Sequence, residues 1–111
     1  MKQKILLRGE VYQVDLNPTK GSEINKVRPC VIVGVNPINR ARNTVVIVPL
    51  SSSPTPRPPL VIPIKSQGTH SVAVCDQIRA IDKARINNKL GDLTIKEIEL
   101  LDESLRITLG L

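Results

Sequence analysis

At 111 residues and 41% hydrophobic content, the chain is the size of one domain, residues 1–111, and can bury a core without disulfides or metal. Tyr12 is its only aromatic residue, so Val, Ile and Leu must fill that core, and binding of single-stranded nucleic acid chiefly by stacking on rings is excluded. The net charge of +6 is segregated into a basic body, with 14 basic and 5 acidic side chains in residues 1–91, and an acidic end, with 2 and 5 in residues 92–111, so polyanions are the expected partners.

The N-terminal stretch MKQKILLRGE has three consecutive apolar residues, too few for a signal-peptide core. No run approaches the length of a membrane span, so the expected location is cytoplasmic. Residues 10–16 (EVYQVDL) alternate as a strand, with Tyr12, Val14 and Leu16 as the core face and Val11, Gln13 and Asp15 opposite. Asn17-Pro18 and Lys20-Gly21 end it as turns. The polar loop that follows carries Lys20, Ser22, Glu23, Lys26 and Arg28. Arg28 and Pro29 then stand directly before an apolar run read as a strand over 31–35, which Asn36-Pro37 ends. An arginine at the mouth of a core strand is held rigidly while its fork faces solvent, a plausible anion-handling site.

NRARN, residues 39–43, reads as a basic loop suited to contacting phosphate. Residues 43–50 (NTVVIVPL) form a third strand with Pro49 at an edge or bulge. SSSPTPRPP, residues 51–59, reads as an extended, polyproline-like loop. A short strand over 60–64 is interrupted by Pro63. His70, the one histidine, sits in the polar turn SQGTHSV and is expected to face solvent without a catalytic role. Residues 72–81 read as one long strand with Asp76, Gln77 and Arg79 as polar inserts. Cys30 and Cys75 fall in apolar runs without zinc-site spacing and read as small core residues. Thr94-Ile95-Lys96-Glu97 is a capping box, and Ile98, Leu101 and Leu105 recur at helical spacing up to Gly110, so residues 94–109 form a helix. Short strands plus one terminal helix give a mainly β, α+β protein: a strongly bent antiparallel sheet or small barrel.

Three stretches in order, RGEVYQVDLNPTKGSEINKVRPCVIV, NTVVIVPLS and DQIRAIDKARI, resemble the MazF/PemK family of toxin endoribonucleases from about Arg8 to Leu109. The opening matches the family's G-E-(I/V)-(Y/W), G-S-E and R-P elements, with Val27 in place of a basic residue often found before the arginine. The resemblance implies an SH3-like barrel with a C-terminal helix, a homodimer, and cleavage of single-stranded RNA or mRNA at short sequences without metal or other cofactor. It implies products with 2′,3′-cyclic phosphate and 5′-hydroxyl ends. It also implies an acidic antitoxin that occupies the RNA groove and supplies any contact with DNA.

By that resemblance Arg28 clamps the scissile phosphate and Ser51 donates a hydroxyl to it, although Ser52 and Ser53 leave the register open by a residue or two. Ser22 and Glu23 match the loop dyad, with Glu23 orienting substrate rather than acting as base; Lys20 lies in the same substrate-binding loop. Asp76, Gln77 and Arg79 match a later substrate-binding strand, with Gln77 as a base reader. One branch of the family has a catalytic arginine where this chain has Val74, a departure that favours the Arg28–Ser51 version. Two other readings remain: a CcdB-like poison that binds gyrase, and a silent barrel that only binds RNA or an acidic peptide.

Overall fold

The strands that the alternating and apolar runs dictate assemble around β3 (Thr44–Ser51), in a computed structural model that describes residues 5–111. Residues 1–4, part of the N-terminal stretch read above against a signal peptide, lie outside the described residues. In chain order β1 (Glu10–Asp15), β2 (Val27–Ile32), α1 (Asn36–Ala41) and β3 precede β4 (Val61–Pro63), β5 (Val72–Val74), β6 (Arg79–Asp82), β7 (Ile86–Asp92) and α2 (Ile95–Leu109). The strands pair antiparallel in the order β4-β5-β3-β2-β1-β7, with β6 beside the first half of β3. The bent-sheet form of the expectation is the one realised: β4 and β7 stay unpaired with one another among the described residues, so the sheet does not close.

The bend follows from β3. Its residues Thr44 to Ile47 pair with β6, whereas Leu50 and Ser51 pair with β5. Pro49, which lacks an N–H to give to a ladder, sits where β3 passes from one partner to the other. Two apolar clusters result. Val11, Val31, Val48, Leu50, Ile62 and Ile64 pack under Leu101 and Leu105 of α2, while Tyr12, Val14, Leu16, Cys30, Ile32 and Ile47 form the second. Val11 is therefore buried too, contrary to the one-faced reading of this strand; of its supposed partners, Gln13 is half-buried and Asp15 exposed. The sheet is covered on both faces, so strict alternation understates the core.

Three further readings need correction. The basic loop 39–43 is largely helix α1: Asn36-Pro37 starts a helix there, since proline suits a first turn. Asn39 is buried in it, with Nδ2 donating to the carbonyls of Leu6 at 3.3 Å and Gly34 at 2.9 Å. The long strand 72–81 is broken by a 3-10 turn over Cys75–Gln77, which lets β5 and β6 serve different halves of β3. Strand β7, INNKLGD, escaped notice because it is polar; it forms the sheet edge against β1.

Helix α2 is as expected. The Thr94 hydroxyl accepts from Glu97 N–H at 3.1 Å, and Glu97 Oε1 accepts from Thr94 N–H at 2.9 Å. The helix approaches the start of β1 closely: a Cβ on Gly9, whose φ is +91°, would lie 2.8 Å from Ile98 Cδ1. The positive φ is what favours glycine there, since the tip of Ile98 can move aside.

Candidate active site

The second residue of β2 is Arg28, one step inside the strand rather than ahead of it. The β2–β3 pairing ends at Cys30↔Pro49, so Arg28 on β2 and Ser51, the last residue of β3, both lie just beyond that end on neighbouring strands. Ser51 pairs with Val72, which draws the turn ending in His70 and Ser71 to the same place. These elements enclose a cleft of about 430 Å³ lined by Arg28, Pro29, Ser51, Ser52, Gln67 and His70, with Leu50, Gly68 and Ser71 completing it.

Arg28 Nε donates to the Asn25 carbonyl at 3.3 Å, which fixes the plane of the guanidinium. Its two Nη groups make no hydrogen bond among the described residues and can form two parallel bonds to a phosphate. Ser51 Oγ accepts from Ser53 N–H at 3.4 Å, so its own hydrogen is free to donate. Ser52 lines the same cleft, whereas Ser53 lines a neighbouring one beside Pro54 and Lys65.

Of the other site residues of the sequence reading, Glu23, Asp76, Gln77 and Arg79 gather on a second cleft, of about 310 Å³, lined also by Leu16, Ile24, Pro49 and Ile78, whereas Lys20 and Ser22 do not line it. Because Pro49 lines this cleft and Leu50 the first, the two flank the end of β3. Gln77 is committed: Oε1 accepts from Ile24 N–H at 2.6 Å and Nε2 donates to the Ser22 carbonyl at 3.3 Å. In this arrangement its amide holds the β1–β2 loop instead of standing free to read a base. Arg79 Nη1 donates to the Leu16 carbonyl at 3.4 Å, at the root of the same loop.

Glu23 is likewise occupied. Its Oε1 accepts from Lys20 N–H at 2.6 Å, and its own N–H donates to the Lys20 carbonyl at 3.1 Å. That closes a turn at Gly21, with φ of +55°, and leaves Lys20 and Ser22 exposed on the loop. Lys26, at φ +67°, is the one non-glycine residue with positive φ among those described; its N–H donates to Asn17 Oδ1 at 3.1 Å. Arg85 Nη1 pins the far side of the loop through the carbonyls of Asp15, at 3.2 Å, and Asn17.

Both thiols are free and buried. Burial pushes Cys30 up to about 12, against a smaller opposing pull from Arg79, and pushes Cys75 up to about 11 with help from Asp76. Among the described residues no three His, Cys, Asp or Glu side chains come together as metal ligands. What the sequence reading missed is that His70 and Gln67 line the Arg28–Ser51 cleft. His70 is exposed as expected, but its place follows from the Ser51↔Val72 pairing, which no local pattern announces.

An arginine fork with both Nη groups unbonded shares a cleft with a serine hydroxyl on a basic bent sheet capped by one helix, a set of donors suited to an anion. The model of the PemK-like, MazF-like toxins of type II toxin–antitoxin systems matches residues 7–109, and the chain belongs to that family. It is 32% identical over 116 residues to the endoribonuclease MazF9 of Mycobacterium tuberculosis, covering 96% of this chain and 98% of that protein. Among solved structures, an endoribonuclease from a mycobacterial species superposes with a TM-score of 0.82 at 26% identity, covering 100% of this chain and 97% of that one. A second mycobacterial endoribonuclease, solved in complex with its cognate antitoxin, gives 0.80 at 27% identity with 95% of each chain covered.

Proposed function

We propose that this chain is a MazF-type endoribonuclease toxin that cuts single-stranded RNA by attack of the RNA's own 2′-oxygen on the adjacent phosphorus. The reaction leaves a 2′,3′-cyclic phosphate and a 5′-hydroxyl and needs no metal. The observation that carries the reading is the shared cleft lined by Arg28, whose two Nη groups make no hydrogen bond among the described residues, and by Ser51. A phosphorane carries more charge on its equatorial oxygens than the diester it comes from. Donors already aimed at that charge favour it over the ground state. Arg28 supplies two such donors from a rigid strand and Ser51 supplies a third.

The β1–β2 loop, with Lys20, Ser22 and Glu23, and the Asp76–Arg79 segment form a second lobe that receives flanking nucleotides. Its backbone is fixed by Gln77 and Arg79, which suits recognition of a short sequence. The toxin works in the cytoplasm, where messenger RNA is available. Its antitoxin is an acidic chain that competes with RNA for the basic body, and contact with DNA comes only through that complex. A homodimer is supported by the exposed apolar side chains Leu100, Ile107 and Leu109 on α2. No observation favours the gyrase-binding alternative.

Incubation with mixed-sequence single-stranded RNA in EDTA tests the reading. Discrete fragments with 5′-hydroxyl ends are expected, and Arg28→Ala should slow cleavage by about 100- to 1,000-fold without changing the melting temperature. Equal cleavage by wild type and Arg28→Ala, or fragments with 5′-phosphates, would overturn it.

A further inference from the structure

We propose that His70 is the general base of the cleavage reaction, taking the proton from the attacking 2′-hydroxyl; this rests on the endoribonuclease reading above. Transfer of a phosphoryl group to the 2′-oxygen requires an acceptor for that proton near the scissile phosphate. The cleft that holds Arg28 and Ser51 offers few candidates. A guanidinium offers donors and no acceptor, a serine hydroxyl is far too weak a base, and the Gln67 amide is not a base. No Asp or Glu lines this cleft. The carboxylates of the sequence reading, Glu23 and Asp76, line the cleft on the other flank of β3, and Glu23 Oε1 already accepts from the Lys20 amide at 2.6 Å. His70 remains, and its imidazole is the one side chain lining the cleft that can serve as a proton acceptor.

Its setting fits that task. The imidazole is exposed, and neither ring nitrogen has a hydrogen-bond partner among the described residues, so both are open to substrate. The turn that carries it is anchored at both ends. Ser71 N–H donates to the Gly68 carbonyl at 3.0 Å, and Ile64 N–H donates to the Ser71 carbonyl at 2.9 Å. His70 also lines the neighbouring groove with Lys65 and Pro54, so it stands on the ridge between the two clefts. In the step itself, the neutral imidazole takes the 2′-hydroxyl proton as the 2′-oxygen bonds to phosphorus. The bond from phosphorus to the 5′-oxygen breaks, the leaving oxygen takes a proton from water, and the imidazolium releases its own to solvent. Arg28 and Ser51 hold the phosphorane oxygens throughout.

Single-turnover cleavage of an RNA carrying a mapped site, across pH 5 to 9, tests the assignment with the full-length protein. Wild type should show a rate that rises tenfold per pH unit in acid and levels off once the imidazole has lost its proton. His70→Gln should cut that rate about 100-fold or more and abolish the levelling, with RNA affinity and melting temperature unchanged. His70→Gly should be partly rescued by added imidazole. A His70→Gln rate within about threefold of wild type, with the same pH profile, would overturn the proposal while leaving the enzyme reading intact. Wild type that cleaves no RNA in the mapping experiment would overturn both.

Discussion

The Gln77 amide accepts from Ile24 N–H and donates to the Ser22 carbonyl, so one side chain on the 3-10 turn before β6 fixes a loop more than 50 residues away in sequence. Two carbonyl–amide bonds of this kind contribute about 1 kcal/mol each, and more is lost if a half-buried partner is left unsatisfied. Gln77→Ala should therefore loosen the β1–β2 loop without unfolding the sheet. The expected outcome is faster hydrogen exchange at the Ile24 amide, a raised KM for RNA and a modest fall in kcat. An Ile24 amide that stays equally protected would mean that Asn17, Arg79 and Arg85 hold the loop by themselves. The Lys26 backbone adds to the demand on these anchors, because a lysine at φ +67° pays about 1 kcal/mol that glycine would not. At this scale the sequence was a partial guide. Arg28 stands out as a cation beside an apolar run, but nothing local says that it shares a cleft with Ser51. That fact resides in the pairing of β2 with β3, and only family resemblance supplied the pair beforehand.

At the scale of elements, the cap of helix α2 does two jobs. The Glu97 carboxylate closes the capping box on Thr94, and it also accepts from Ser66 N–H at 3.0 Å and Ser66 Oγ at 2.6 Å. Ser66 lies in the 3-10 turn over Lys65–Gln67, whose end, with Gly68, lines the Arg28 cleft. The helix N-terminus thus steadies one wall of the active site. Burial by itself would raise Glu97, but the bonds from Ser66 and Thr94 outweigh it and hold the carboxyl below its ordinary 4.5. Because the folded value is depressed, this stabilisation is complete above the unfolded pKa and disappears as pH falls through the folded one. Glu97→Gln should cost about 1 kcal/mol at pH 7, with the difference from wild type shrinking in denaturant titrations below pH 4.5. A difference independent of pH would show that the carboxylate charge is irrelevant to the cap. The capping box was legible because its four residues are contiguous. The partner Ser66 was not, since it arrives from a turn 31 residues away. The same logic separates the elements read correctly from those missed. β1 and β3 announce themselves by apolar runs, whereas β7 is polar and exists only because β1 offers it an edge.

Across the whole molecule, charge and shape divide the labour. Lys20, Lys26 and Arg28 lie on or beside the β1–β2 loop, while Glu97, Glu99, Asp102 and Glu103 belong to α2. Beside its apolar packing, two polar contacts of acidic side chains tie this helix to the body: Asp102 pairs with Arg8, which also donates to the Val33 carbonyl at 3.1 Å, and Glu97 reaches Ser66. The composition already carried this asymmetry, since it needs no knowledge of register. A single-stranded RNA that follows the basic face releases about 0.7 counterions for each phosphate contacted, so the salt dependence of binding counts the contacts. Lys20→Gln removes an exposed cation from the loop proposed to receive RNA, and Lys96→Gln removes an equally exposed one from the first turn of α2. The net charge of the two variants is identical, so any general effect of charge affects both alike. If the RNA path runs over the loop, Lys20→Gln should lower the slope of log K against log salt by about 0.7, and Lys96→Gln should leave it unchanged. Equal slopes for both variants would place the RNA elsewhere on the basic surface. A loss confined to Lys96→Gln would run it along the helix, away from Arg28 and Ser51, and would separate the binding face from the chemistry argued here.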